Sequence, residues 1–75
     1  MSSHSTKDKL VHMANQIDSF FRTQDAATAP AKIAEHMNKF WDPRMRREIV
    51  AHLDAGGDGL NPNSRQAVEL LRAGL

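Results

Sequence analysis

Apolar residues recur along this chain at intervals of three and four positions, which is the spacing of one face of an α-helix. In the first segment these positions are Leu10, Val11, Met13, Ala14, Ile17, Phe20 and Phe21. The same spacing returns within residues 33–41, 45–53 and 67–71. No stretch alternates between polar and apolar residues at the period of two that indicates a half-buried strand. The pattern therefore predicts an all-α fold with four helices.

Prolines, capping residues and glycines mark the ends of these helices. Each of the three prolines suits the first turn of a helix, because the N–H that proline lacks would have no partner there. A possible N-cap precedes each proline: Thr28 before Pro30, Asp42 before Pro43, and Asn61 before Pro62. The glycine-rich run 56–59 ends the third helix, since glycine readily adopts the left-handed conformation that follows a helix. We therefore predict helices over residues 7–22, 30–41, 43–55 and 62–73.

A polar N-terminus precedes the first predicted helix. Residues 2–6 contain no apolar side chain, and Ser5 or Thr6 can cap the helix that follows. We expect residues 1–6 to be disordered and residues 7–75 to form one domain, because short links join the helices. A small four-helix bundle and an orthogonal helical array both fit, since the sequence does not define the packing angles.

Composition narrows the possible functions. The chain has 75 residues, with ten Lys plus Arg against nine Asp plus Glu, and it has no cysteine. The balanced charge argues against a free-standing nucleic-acid-binding domain, and the missing cysteines exclude disulfides and cysteine-ligated metal centres. The N-terminus lacks the apolar region of a secretory signal, and no apolar run approaches the ~20 residues that cross a bilayer. We expect a soluble, cytoplasmic protein.

The chain contains no recognisable catalytic or metal-binding motif. Its four histidines do not include a pair at the i, i+4 spacing of a helical zinc site. Residues 54–59 resemble the start of a calcium loop, but Arg65 occupies the twelfth position, where such a loop requires a glutamate. No serine has an organised base beside it in the sequence. We predict no catalytic, cofactor-binding or metal-binding residue, and a chain that is not itself an enzyme.

The first helix is apolar over an unusually wide arc. At about 100° per residue its apolar positions span roughly 180°, whereas a surface helix needs only somewhat more than ~100°. One interpretation is that this helix is central and has neighbours on two sides. The other is that part of the arc, with Phe20 or Val11, contacts another chain. The two interpretations are compatible, and the first is slightly favoured. Asp18 and Arg22 form an i, i+4 pair in the favourable order.

The segment 36–47 is the strongest candidate for a binding site. Arg44, Arg46 and Arg47 lie in the first turn of the third helix, where cations oppose the helix dipole. Arg46 also falls within the apolar arc of that helix. Either its aliphatic stem packs on Trp41, or the tryptophan and arginines anchor a partner, since Trp and Arg dominate binding hot spots. We favour the second, and predict that the partner-binding residues are His36, Phe40, Trp41, Asp42, Pro43, Arg44, Arg46 and Phe20.

Two blocks of sequence carry a family resemblance. One is Met13-Ala14-Asn15 leading to Phe20-Phe21, and the other is His36 followed by Lys39-Phe40-Trp41-Asp42-Pro43-Arg44-Met45-Arg46. With these blocks the chain resembles the delta subunits of the soluble, NAD-dependent, molybdenum-containing formate dehydrogenases of bacteria. The likeness covers roughly Lys9 to Leu71.

The resemblance implies a role in a complex. In such enzymes the catalytic alpha subunit holds a molybdenum–pterin cofactor and iron–sulfur clusters and oxidises formate to carbon dioxide. The beta and gamma subunits carry FMN and further clusters and pass electrons to NAD. The delta subunit is a small accessory protein tied to assembly or stability. The resemblance therefore implies a non-catalytic subunit that binds the alpha subunit, and through it beta and gamma, with no nucleic acid, no membrane and no cofactor of its own.

Two alternatives remain open at this point. The chain could be a small helix-turn-helix-like nucleic-acid-binding protein whose third helix contacts bases through Arg44, Arg46 and Arg47. Against this stand the balanced charge and the Asp42-Pro43 pair, where a three- or four-residue turn is usual. The weaker alternative is a metal- or cofactor-insertion chaperone that uses the histidines.

Overall fold

The computed structural model describes residues 6–74, and this range contains four α-helices and no strand. The helices are α1 (Thr6–Gln24), α2 (Ala29–Phe40), α3 (Pro43–Asp54) and α4 (Pro62–Gly74). The predicted all-α class is confirmed. The first helix continues two residues beyond its predicted end, and the second stops one residue short. Of residues 1–6, which were expected to be disordered, Thr6 is instead the first residue of α1, whereas residues 1–5 and the capping by Ser5 lie outside the described residues.

The four helices enclose one apolar core. Both α2 and α3 lie against α1 and α4. Because α1 and α4 also touch each other, α1 contacts every other helix. The most completely buried large apolar side chains come from three of the helices: Ile33 and Met37 of α2, Ile49 of α3, and Val68 of α4. Leu10 and Ala14 of α1 complete this core, and Leu60 covers it from the loop before α4. The principal extents are 39 × 24 × 22 Å.

A two-residue corner joins α2 to α3. Trp41 is the C-cap of α2, and its N–H donates to the Met37 carbonyl at 2.9 Å. Asp42 has extended backbone, and its Oδ1 accepts from the Met45 N–H at 2.9 Å. Pro43 then occupies the first turn of α3. The predicted cap-and-proline start of the third helix is therefore confirmed.

Thr28 does not cap α2 through its side chain, so that prediction is wrong. Its backbone is already helical, with φ −100° and ψ −2°, whereas a capping residue has extended backbone that directs its side chain to the first amides. The Thr28 hydroxyl instead donates to the Asp25 carbonyl at 3.4 Å. Thr28 therefore belongs to the turn that connects α1 to α2.

Glycines end α3 as predicted. The Gly56 N–H donates to the Leu53 carbonyl at 3.0 Å, and the Gly57 N–H donates to the His52 carbonyl at 2.9 Å, which is the Schellman pattern. Gly57 has φ +68°, and an added Cβ there would lie 2.9 Å from Arg65 Nη2. Arg65 of α4 donates to the Gly56 and Gly57 carbonyls. The loop is thus held against α4 from its first residues.

Five polar residues join α1 to the start of α4, and we call them the polar clamp: Asn15, Asp18, Asn61, Asn63 and Ser64. Asp18 is fully buried, and its carboxylate accepts from the side-chain amides of Asn61 and Asn63, each at 3.1 Å. Arg22 lies 3.4 Å from the same carboxylate, as the spacing of the pair predicts. The buried charge therefore has three partners.

The rest of the polar clamp fixes backbone groups. Asn15 donates to the Gly59 carbonyl at 2.8 Å and accepts from the Asn61 N–H at 2.9 Å. The buried Ser64 hydroxyl donates to the Ala14 carbonyl at 3.3 Å. Among the described residues, no buried side-chain nitrogen or oxygen atom lacks a hydrogen-bond partner. The clamp thus joins α1 to the loop before α4 and to α4 itself through hydrogen bonds within the fold.

Candidate partner-binding site

An apolar groove of about 350 Å³ lies between α1 and α2. We call it the aromatic groove, and its lining residues are Met13, Gln16, Ile17, Phe20, Phe21, His36 and Trp41. Five of these come from α1, and all of them except Gln16 belong to the apolar arc that is wider than a surface helix needs. The groove therefore arises where that arc extends beyond the core.

Helix α1 is central, as the first interpretation of its wide apolar arc predicts, and one edge of the arc is exposed. Leu10 and Ala14 are buried, and α1 contacts the other three helices, so the helix is central. The opposite edge of the arc stays outside, because the Phe20 side chain is 60% exposed. Val11 is half-buried and packs against the core, with Gly59 close to it. Phe20, and to a smaller extent Met13 at 36% exposed, are thus the part of the arc that the fold leaves uncovered.

Aromatic rings form a continuous row from α1 to α2. The ring centroids of Phe20 and Phe21 are 5.2 Å apart and edge-to-face, and those of Phe21 and His36 are 6.3 Å apart. The His36 and Phe40 centroids follow at 4.7 Å. Such contacts favour defined ring orientations. Phe40, at the end of the row, is 70% exposed.

A second depression of about 150 Å³ adjoins the groove and shares two of its residues, Phe21 and His36. Its remaining lining residues lie on α2: Lys32, Glu35, Lys39 and Phe40. Glu35 and Lys39 form the i, i+4 pair at 4.0 Å. Lys32 is exposed and makes no ion pair with any residue between 6 and 74. The depression therefore carries one unpaired cation.

The structure brings four of the predicted binding residues together: Phe20, His36 and Trp41 line the groove, and Phe40 continues the row of rings. Trp41 is only 4% exposed, so most of its side chain belongs to the core. It forms part of the groove wall and does not project as an exposed anchor. Residue type alone did not distinguish these two placements.

Arg46 has an internal role that the sequence only partly indicated. Its guanidinium donates to the Asn38 carbonyl at 3.3 Å and to the Trp41 carbonyl, both at the C-terminal end of α2. The partial negative charge of a helix C-terminus favours a cation. The dipole of α2 therefore offsets the conflict with the dipole of α3. The contact with Trp41 is through its backbone oxygen.

The other predicted residues lie at the exposed corner after Trp41. Asp42, Pro43 and Arg44 are all exposed, and the Asp42 side chain caps α3. The side chain of Arg44 is 84% exposed and lies 3.7 Å from Glu48. Of these three, Pro43 and Arg44 leave most of their surface available to a partner.

The three histidines within the described residues are far from forming a cluster. His36 contacts rings, His52 Nε2 lies 2.8 Å from the Asp58 carbonyl oxygen, and His12 is exposed. Among the residues that the structure describes, no group of three or more His, Cys, Asp or Glu side chains is placed to hold a metal ion. Within the same range, no helix has the length and apolar character that crossing a membrane requires.

Fold and surface together define a small all-α protein with an exposed apolar groove. In a comparison with protein-family models, the chain matches the NADH-dependent formate dehydrogenase delta subunits, FdsD, over residues 9–68, and it belongs to this family. The resemblance seen in the two sequence blocks is confirmed. Comparisons with curated proteins and with solved structures gave no match. The family match gives no support to the nucleic-acid alternative.

Proposed function

We propose that this chain is a non-catalytic accessory subunit that binds the molybdenum-bearing catalytic subunit of a cytoplasmic NAD-dependent formate dehydrogenase. Binding supports the assembly or stability of the complex. In this proposal the chain holds no cofactor, and the molybdenum–pterin, iron–sulfur, FMN and NAD sites belong to the other subunits. The family assignment supports membership in the complex. The choice of partner and the accessory role are our inference.

The aromatic groove and the exposed Phe40 ring that adjoins it are the observation that carries the proposal. Phe20 and Phe40 are 60% and 70% exposed, although each lies in a row of ring contacts. Burying a phenylalanine side chain contributes about 1.5–3 kcal/mol, so a protein partner gains most by covering these rings. Contiguous exposed apolar surface rimmed by polar residues is typical of protein-binding sites.

The proposed binding residues differ in what they contribute. Phe20 and Phe40 supply exposed apolar area, while His36 and Trp41 support the rings and form the wall between them. The corner residues Asp42, Pro43 and Arg44 follow Trp41 directly and extend the contact with polar surface. Arg46 acts indirectly, because it holds the C-terminal end of α2 in place.

Binding to the catalytic subunit tests the proposal. The catalytic subunit is produced without this chain, and wild type, Phe40→Ser and Leu70→Ser are each titrated against it. Leu70 is the matched control, because it is a 51% exposed apolar residue of α4 outside the groove. We expect wild type and Leu70→Ser to bind equally and to raise the Tm of the catalytic subunit. Phe40→Ser should bind roughly 10- to 30-fold more weakly.

The outcomes separate the role from the site. Circular dichroism must first show that both variants keep wild-type helix content. If the wild-type chain neither binds the catalytic subunit nor shifts its Tm, the accessory role is wrong. Equal binding by all three chains would leave the role standing and remove the exposed Phe40 ring, which adjoins the groove, from its site.

A further inference from the structure

The aromatic groove and the second depression form one continuous surface. They share Phe21 and His36, so a partner segment that lies along the groove reaches the depression without crossing another helix. The groove end is apolar apart from Gln16 and His36. The depression end contains the only charged lining residues of the two. The surface therefore changes from apolar to charged along its length.

The backbone of residues 6–74 has no sheet edge with which a partner strand could pair. The described residues contain no β-strand, so a partner cannot add a strand to a sheet edge here. An extended segment in the apolar part of the groove would also lose water from its own N–H and C=O groups without gaining partners. A helix satisfies its own backbone groups and enters such a groove with its side chains alone.

The charge at the depression predicts a second feature of the partner segment, which is an acidic side chain. Glu35 and Lys39 are 4.0 Å apart and largely neutralise each other. Lys32 lines the same depression with no ion pair among the described residues, which leaves a net positive charge beside Phe40. A partner carboxylate placed there gains an ion pair, whereas a partner cation meets repulsion.

We infer that this surface takes an amphipathic helix of the partner, with bulky apolar side chains in the aromatic groove and a carboxylate on the same face at Lys32. The inference rests on the proposed function, since it describes the segment of the catalytic subunit that this chain binds. On a helix, side chains three and four positions apart share a face. The partner segment therefore has apolar residues at that spacing and an Asp or Glu one or two turns from them.

Zero-length cross-linking tests the carboxylate. A water-soluble carbodiimide activates a carboxylate, and a lysine amine in direct contact displaces the resulting urea to form an amide. The assembled complex is treated with the reagent, digested and analysed by mass spectrometry. We expect an amide between Lys32 and an Asp or Glu of the catalytic subunit. The peptide around that acidic residue should have apolar residues at helical spacing.

A charge-reversal series supplies the affinity. Lys32→Glu should weaken binding to the catalytic subunit roughly tenfold, because an attraction becomes a repulsion, while Lys32→Arg should bind like wild type. Lys9→Glu is the matched control, since Lys9 is an exposed lysine of α1 that lines neither depression. The loss for Lys32→Glu should diminish as salt is raised.

The results distinguish this inference from the proposed function. If wild type binds the catalytic subunit but Lys32→Glu binds equally well and Lys32 forms no cross-link to it, the inference is wrong and the accessory role stands. A Lys32 cross-link to a second copy of this chain would also overturn it, because the groove would then be a self-association surface. If wild type does not bind at all, the proposed function and the inference fail together.

Discussion

Two regions of α1 differ in what they bury: one buries a carboxylate, and the other leaves an aromatic ring exposed. The polar clamp surrounds Asp18 with hydrogen-bond donors and buries it completely, although a carboxylate is costly to remove from water. The aromatic groove leaves the Phe20 ring 60% exposed, although such a ring gains free energy from burial. The charged residue is inside, and the neighbouring apolar residue is outside.

The difference separates folding from binding within one helix. Every buried polar side-chain atom of the described residues has a partner, and the hydrogen bonds of the clamp join α1 to the start of α4 within the fold. The groove, in contrast, has rings that the chain's own core does not cover. Substitutions in the clamp should therefore change the free energy of unfolding. Substitutions of the exposed rings should change affinity and leave stability nearly constant.

Replacing Asp18 by alanine should produce the largest effect on stability. The substitution leaves the amides of Asn61 and Asn63 without their acceptor and removes the partner of Arg22. Breaking such a buried group of charge-assisted hydrogen bonds costs about 3 kcal/mol. Domains of this kind have about 5 kcal/mol or somewhat more to lose. Urea unfolding followed by circular dichroism measures the difference.

Glu69→Ala is the matched control for this substitution. Glu69 is an exposed carboxylate of α4 whose side chain makes no hydrogen bond or ion pair with the residues that the structure describes, so its removal should change stability by less than about 0.5 kcal/mol. Similar unfolding midpoints for Asp18→Ala and Glu69→Ala would mean that the clamp does not hold α1 to α4.

Replacing Arg46 by glutamine should have an intermediate effect. The guanidinium donates to the Asn38 and Trp41 carbonyls at the end of α2, and its loss removes both bonds and a favourable charge–dipole interaction. We expect a loss of about 1 kcal/mol in the free energy of unfolding, measured in the same urea titration. Arg47→Gln, at the exposed neighbouring position, should leave the midpoint unchanged. Equal midpoints for the two variants would mean that Arg46 does not stabilise the fold, and it would again be a candidate for direct contact with the partner.

Local signals in the sequence were sufficient for the four helices. Apolar spacing, Asp42-Pro43 and the glycine run act within a few residues of where the chain turns, and the structure uses Asp42 and Gly56 as these signals indicate. Thr28 was misread because its residue type suits a cap while its backbone is already helical. The wide arc of α1 left two interpretations open, and of the two residues named for an exposed edge, Phe20 is 60% exposed whereas Val11 packs against the core.

Contacts between distant residues lay beyond the sequence pattern. The spacing of Asp18 and Arg22 predicted their pairing, but the burial of Asp18 depends on Asn61 and Asn63, which follow 43 and 45 residues later. Periodicity within one helix carries no information about such partners. The clamp is therefore visible only once α1 and α4 are placed side by side.

The arginines of α3 illustrate the same limit. Considered within one helix, Arg46 opposes the local dipole, and this conflict favoured a binding role. The structure places the guanidinium at the opposite pole of a neighbouring helix, at the Asn38 and Trp41 carbonyls, where the interaction is favourable. Trp41 itself proves mostly buried. An unfavourable charge–dipole interaction within one helix is thus as readily offset by a neighbouring helix of the same chain as by a binding partner.

Replacing Phe20 by serine should have the smallest effect on stability. Phe20 and Phe21 are adjacent in sequence and their rings touch, but Phe21 packs against the core while Phe20 is 60% exposed. We expect Phe20→Ser to change the free energy of unfolding by less than about 0.5 kcal/mol, because most of the lost ring surface already contacts water. Phe21→Ser, the matched comparison, should cost about 2 kcal/mol. Urea titrations of both variants give the two values.

Binding measurements on the same pair complete the comparison. Phe20→Ser should bind the catalytic subunit more weakly while unfolding at the wild-type urea concentration, since the exposed ring is assigned to the partner and not to the fold. If Phe20→Ser instead lost as much stability as Phe21→Ser, the ring would belong to the chain's own core. The division of α1 into a folding region and a binding region would then be wrong at the residue where the two meet.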